Sequence, residues 1–326
     1  MDSYLVYILA VWVIAVFRVM PRRIGTWIIR FLGACTYHID SRHRHIADVN
    51  LRIAFPELSK RERSRIARKS FQNTGMNLLE ISKLSRLNTQ NISSLADYDP
   101  VQGIENYRAA LAKGRGILYL TGHFSSWELL PTAHALHGYP LSFITRPLDN
   151  TPLEKHLLKI RESKGNHVIN KKNSARPILK NLASAGTVGI LMDQNTSLQE
   201  GIFVDFFGVP AATTTSMALF ALRTDAPVLP GYLTLMKNGR YAIKFLSPVE
   251  VVRTGDMNRD LAVNTRRFNE LIENIIRQQP ESWLWGHRRW KYQPPGNPPD
   301  LYALSEDELE RFLKEVRASS RQKEVG

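Results

Sequence analysis

From Gly114 onward, short apolar runs alternate with amphipathic stretches along the chain: GRGILYLTG, PLSFITR, NHVIN, GTVGILMDQ, APVLPGYLTL and YAIKFLSPVEV. The intervening segments carry helical spacing over residues 126–137, 152–164, 174–185 and 214–224. Strands separated by helices predict an α/β domain whose central sheet is mostly parallel and flanked by helices. Upstream, Ile66, Ser70, Thr74, Leu78 and Ile81 recur at close to a 3.6-residue period, which predicts a helix over 59–84 with a basic opposite face. Another helix is predicted from Arg259 to Gln279, then the segment WLWGHRRWKYQPPGNPPD and a last charged helix near 305–322. Ser59 with Glu62 and Ser305 with Glu308 have the spacing of capping boxes at two of these helix starts.

The N-terminus has a different texture. Tyr4 to Phe17 carries no charge and is followed by Arg18, Pro21, Arg22 and Arg23. Fourteen helical residues cover about 21 Å, less than the roughly 30 Å hydrocarbon core of a bilayer. A membrane helix here needs Met1 to Ser3 and the stem of Arg18 to reach into the interfaces, with GTWIIRFLGACTY lying along the surface. A buried core helix is the alternative; a signal peptide is disfavoured because Asp2 stands where a positive n-region belongs. On the anchor reading, the arginines on its C-terminal side place the rest of the chain in the cytoplasm.

Charge narrows the partners. Forty-four Lys and Arg against 30 Asp and Glu give a formal +14, which points to an anionic partner: nucleic acid, an anionic membrane surface or an acidic carrier protein. The single Cys35 excludes an internal disulfide framework and a cysteine-rich zinc site. WLWGHRRWKY, with its interleaved aromatic and basic residues, suits nucleic-acid stacking or an interfacial belt at a lipid surface. The apolar N-terminus favours lipid over nucleic acid.

The chemistry concentrates in TGHFSSWELL, residues 121–130. His123 falls at the carboxyl end of the predicted strand GILYLT, where α/β sheets bind ligands. Ser125 and Glu128 have capping-box spacing, and on that reading Glu128 has a structural job alone. With His123 in the loop and Glu128 in the first helical turn, the carboxylate can instead orient the imidazole as a general base. The motifs G-x-S-x-G, G-x-x-x-x-G-K-[ST], G-x-G-x-x-G and H-E-x-x-H are absent, which removes local support for serine hydrolases, P-loop nucleotidases, dinucleotide enzymes and zincins. A base without a nucleophile suggests direct transfer to a substrate hydroxyl.

GHFSSWE resembles the H-x4-[DE] box of the glycerolipid acyltransferase superfamily, and more specifically the lipid A late acyltransferase family of lauroyl and myristoyl transferases. The likeness extends in order through the N-terminal apolar segment, RPLDN, KIRESKGN, GILMDQN, VDFFGVPAATTT and WLWGHRRWK. It implies a glycerolipid-acyltransferase-like α/β fold; the patterning along the chain divides it into 1–35 (anchor and interfacial segment), 36–95 (membrane-proximal helices), 96–295 (acyltransferase domain) and 296–326 (peripheral helix). The implied reaction moves a fatty acyl chain from an acyl carrier protein or coenzyme A thioester to a hydroxyl of an anionic membrane lipid. A lipid A precursor is the expected acceptor, on the cytoplasmic face of a bacterial inner membrane, with no cofactor, metal or nucleic acid involved. Carried over by position, His123 is the general base and Glu128 its orienter, and Arg161 stabilises the site or its anionic ligands. Asp193 is a polar contact near the substrate, and Arg146, Gln194, Arg288 and Arg289 are further substrate-binding candidates. Phe207 and Gly208 line an acyl passage in a loop that leads, through Thr213 to Thr215, into the next helix. Lysophospholipid and glycolipid acyltransferases share the box, and a lipid- or nucleic-acid-binding protein without catalysis is the rival from another class.

Overall fold

Strand β2 (Ile117–Thr121), buried at every position, runs through the middle of a seven-stranded sheet, as the unbroken apolar run ILYLT requires. A computed structural model describes residues 3–325, within which the chain forms two compact units. The first comprises residues up to Gly33, Gln72–Leu191 and Phe220–Glu250; the second comprises Ala34–Phe71, Met192–Leu219 and residues from Val251 on.

The sheet belongs to the first unit. Its strands are β1 (Ala96–Tyr98), β2, β3 (Ser142–Thr145), β4 (His167–Asn170), β5 (Thr187–Leu191), β8 (Val228–Leu235) and β9 (Tyr241–Phe245), in the order β1-β9-β8-β2-β5-β3-β4. Every neighbouring pair is parallel except β8 with β9. This is the mostly parallel, helix-flanked sheet that the alternating pattern predicts. Four predicted helices appear, with somewhat different ends, as α7 (Leu129–Leu136), α8 (Thr151–Glu162), α9 (Ala175–Ala183) and α10 (Ser216–Thr224). Short α5 (Ile92–Leu95) and α6 (Ile104–Leu111) precede β2. The buried His134 on α7 bonds the Tyr98 hydroxyl through Nδ1 at 2.9 Å, and burial lowers its pKa to about 3, so it stays neutral in the core.

Helices α1 (Ser3–Val19), α2 (Arg22–Ile39), α3 (Ser41–Ala54) and α4 (Lys60–Lys83) form the N-terminal region. Phe17, Ile29, Met76 and Leu79 pack together in the first unit. Gly25 allows that close approach, since a Cβ there would lie 2.8 Å from Leu79 Cδ1. The expected membrane span is not found: α1 has 17 residues, about 25 Å of helix, and among the described residues no helix is long and apolar enough to cross a membrane. Ile14 and Phe17 are instead buried, while Tyr4, Leu5, Ile8, Leu9 and Trp12 face outward. The positive-inside argument presupposes a span and falls with it. Met1 and Asp2, invoked for the anchor, lie outside the described residues.

In the second unit, β6 (Gly201–Phe206) and β7 (Val209–Thr214) form an antiparallel hairpin. This corrects the expected loop: VDFFGVPAATTT is a hairpin whose two-residue turn, Phe207–Gly208, has φ of 53° and 71°. Both values are left-handed, as a turn matching the strand twist demands. α11 (Met257–Gln278) packs against it, and Asn269 Nδ2 donates to Asp205 O at 3.0 Å. The aromatic-basic segment is also corrected, because Trp283, Trp285 and Trp290 are buried core residues, not an interfacial belt. The chain ends in α12 (Glu306–Val325).

Candidate functional site

The loop between β2 and α7 carries His123 and Glu128. His123 is half-buried, and the Trp127 ring meets it edge-to-face with centroids 5.0 Å apart. Ser125 adopts a left-handed φ of 50°, an uncommon conformation for a residue with a side chain.

The capping-box reading fails here. At Ser59 and Ser305 the box forms: each Ser N–H donates to the carboxylate three residues on at 2.8 Å, and each hydroxyl does so at 2.7 Å. Glu128 does otherwise. Its carboxylate receives Arg161 Nη2 on Oε1 at 2.7 Å and Arg161 Nε on Oε2 at 3.0 Å, a two-pronged ion pair with side chains only 15% and 13% exposed. The sign of the Arg161 shift shows which effect prevails: burial alone would lower its pKa, yet the hydrogen bonds and charge of Glu128 raise it. Arg161 lies in the last turn of α8, two turns beyond the buried Glu154. Arg146 stands on the surface, its guanidinium 3.9 Å from Asp149.

The other candidates lie in the second unit. Asp193, 1% exposed, accepts from Trp283 Nε1 at 2.7 Å. Arg289 is fully enclosed, donating to Ala212 O at 2.9 Å and Thr213 Oγ1 at 2.7 Å over the Phe206 ring. Burial lowers its pKa to about 10, with the charge of Asp193 opposing the shift. This enclosure makes Arg289 part of the core rather than of an open substrate surface. Arg288 pairs with Asp300 and lies over Tyr302. Gln194 is half-buried, and the neighbouring Asn195 N–H points to His287 Nε2 at 3.2 Å. The ordered segments MDQN and WLWGHRRW therefore hold each other. Phe207 is buried, its N–H donating to Glu273 at 2.8 Å, with Arg277 over its ring at 4.6 Å.

Sequence reasoning missed the support behind the loop. Asn77 Nδ2 donates to Ser125 O at 3.0 Å, and Asn77 Oδ1 accepts the Glu128 N–H at 3.3 Å. Ser126 Oγ and Tyr241 OH are 2.8 Å apart, Tyr241 OH donates to Glu80 Oε1 at 2.8 Å, and Arg22 donates to both Glu80 oxygens. The available signal was polar residues at Asn77 and Glu80 among the buried positions Met76 and Leu79.

Comparison with known proteins gives first the class: the matching proteins are acyltransferases, and the chain is an enzyme of that class. Residues 1–292 match the bacterial lipid A biosynthesis acyltransferase family, and the chain belongs to it. It is 28% identical to the lipid A biosynthesis lauroyltransferase of Escherichia coli (strain K12) over 82% of this chain and 85% of that protein. It is 28% identical to the palmitoleoyltransferase of the same organism, over 81% of this chain and 84% of that protein. To the myristoyltransferase of that strain it is 22% identical, over 85% and 84%.

Proposed function

We propose that this enzyme transfers a fatty acyl group from an acyl-carrier-protein thioester, or the coenzyme A equivalent, to a hydroxyl of a lipid A precursor, with His123 as general base. The hydroxyl oxygen attacks the thioester carbonyl while His123 accepts its proton. The tetrahedral oxyanion then collapses, the C–S bond breaks, and the thiolate leaves and is protonated. A thiolate is a good leaving group, so base assistance of about 10²- to 10⁴-fold, together with proximity, is sufficient without a covalent enzyme intermediate.

The observation that supports the reading most is the state of Glu128: at the start of the helix that follows the central strand it is held side-on by Arg161 instead of closing a capping box. A carboxylate has about four acceptor positions, so two bonds from Arg161 leave room for an imidazole N–H. Arg161 on this reading fixes the orienter. The test is acyl transfer from carrier thioester to a lipid A precursor, with His123→Ala expected to lose at least about 10²-fold in rate. Equal activity in the variant would remove His123 from the mechanism, and transfer to lysophospholipid in preference to the lipid A precursor would change the acceptor.

Membrane attachment belongs to the same proposal. The outward apolar residues of α1, and Ile24, Trp27, Phe31 and Leu32 of α2, are exposed together with Arg18, Arg23 and Arg30. Such a combination suits in-plane docking to an anionic bilayer surface. The thioester donor puts this docking on the cytoplasmic face of the bacterial inner membrane.

A further inference from the structure

We infer that Asn77 and Glu80, one turn apart on α4, are positioning residues that hold the segment from His123 to Glu128 in its working shape; the inference rests on the proposed roles of those two residues. Two features of the segment call for support from outside it. Ser125 is left-handed, and Glu128, at the N-cap of α7, makes no side-chain capping bond. Left-handed residues of this kind persist only where their surroundings determine them.

The surroundings here come from α4. The Asn77 amide, 6% exposed, uses both its ends: its NH₂ binds the Ser125 carbonyl and its oxygen takes the Glu128 N–H, so one side chain clamps both ends of a four-residue bend. Glu80 acts one turn further on, through Tyr241. A carboxylate gripped by a guanidinium is an acceptor, so the Tyr241 hydroxyl gives its single proton to Glu80 and must accept from Ser126. Residues 125, 126 and 128 are thereby fixed, and the remaining member of the bend, Trp127, rests against the His123 ring. A displacement of the bend moves the base and its carboxylate together. Neither Asn77 nor Glu80 needs to touch substrate for this effect.

The experiment uses the full chain with a carrier thioester and lipid acceptor, measuring kcat and KM for Asn77→Leu, His123→Ala and the double variant. Leu has the same branching and number of side-chain heavy atoms as Asn, and it removes both bonds. We expect kcat to fall by roughly 10- to 10²-fold with KM for the donor little changed, the scale of a misplacement of about 1 Å. In the His123→Ala background the same substitution should add almost nothing, because residues that act as a unit are non-additive. Losses that multiply in full, or an unchanged kcat in Asn77→Leu beside an inactive His123→Ala, would overturn the inference alone. A fully active His123→Ala would overturn the reading beneath it. If Asn77→Leu does not fold, Tyr241→Phe decides: it keeps the ring, releases Ser126 from Glu80, and should lower kcat while KM holds. A wild-type kcat in that variant would overturn the inference.

Discussion

Replacing Glu128 by Gln separates the ion pair from the capping role most cleanly. Gln completes a capping box as well as Glu does, so if capping were the role of residue 128 the variant would be as stable as the wild type. In the ion-pair geometry one carboxylate oxygen becomes an NH₂ group facing a guanidinium, so one of the two bonds to Arg161 is replaced by opposed donors and the charge attraction is lost. Hydrogen bonds to charged groups contribute about 1.5 to 3 kcal/mol, and breaking a fully buried pair costs about 3 to 5 kcal/mol. With both side chains close to 14% exposed, the expected loss is about 2 to 3 kcal/mol. At about 2.1 cal/mol/K per residue over 326 residues, that lowers the unfolding midpoint by about 3 to 4 °C. Thermal unfolding of Glu128→Gln, Arg161→Met and the double variant measures both the loss and the coupling energy, which should exceed about 0.5 kcal/mol. An unshifted midpoint in Glu128→Gln, with additive effects in the double variant, would refute the argument.

Two further outcomes follow from other parts of the molecule. Burial pushes the Glu273 carboxyl up to about 7, so the folded protein holds a proton there that the unfolded chain has lost above its ordinary 4.5. Stability from this group therefore falls as pH rises from about 4.5 to 7, by at most about 3 kcal/mol; Glu273→Gln should flatten that fall in unfolding measured between these limits, and an unchanged profile would contradict it. For the membrane face, Trp12 and Trp27 are 62% and 68% exposed, and sinking about 100 Å² of each is worth about 2.5 kcal/mol. Changing both to Ser should abolish co-flotation with vesicles containing anionic lipid; undiminished flotation would exclude α1 and α2 as the docking face.

Much of the sheet was legible because strands buried on both faces leave uninterrupted apolar runs such as ILYLT and TVGIL. The hairpin was not, because Phe207–Gly208 lacks the Asn-Gly signal, and the left-handed Phe207 is held by Glu273 on its N–H and Arg277 over its ring, partners remote in sequence. His123 and Glu128 stand out by residue type and place, whereas Arg161 is singled out only by resemblance, because its pairing with Glu128 joins positions 33 residues apart. Ser125-x-x-Glu128 misled for the same reason: local spacing offers a cap, and a more distant cation together with Asn77 outcompetes it. The basic, aromatic C-terminal segment looked like surface because composition does not reveal that Asp193, Asn50 and Ser70 accept or satisfy its polar groups inside the unit.

The strand order has a consequence for how the molecule is made. β1 pairs with β9, and Ala96 meets Tyr241, 145 residues later (241 − 96). At about 5 to 20 residues per second, β1 waits about 7 to 30 s on the ribosome before its partner exists. During that interval the nascent first unit presents an unfilled sheet edge as well as the exposed apolar residues of α1 and α2, a half-made sheet that chaperones or a bilayer surface can shelter.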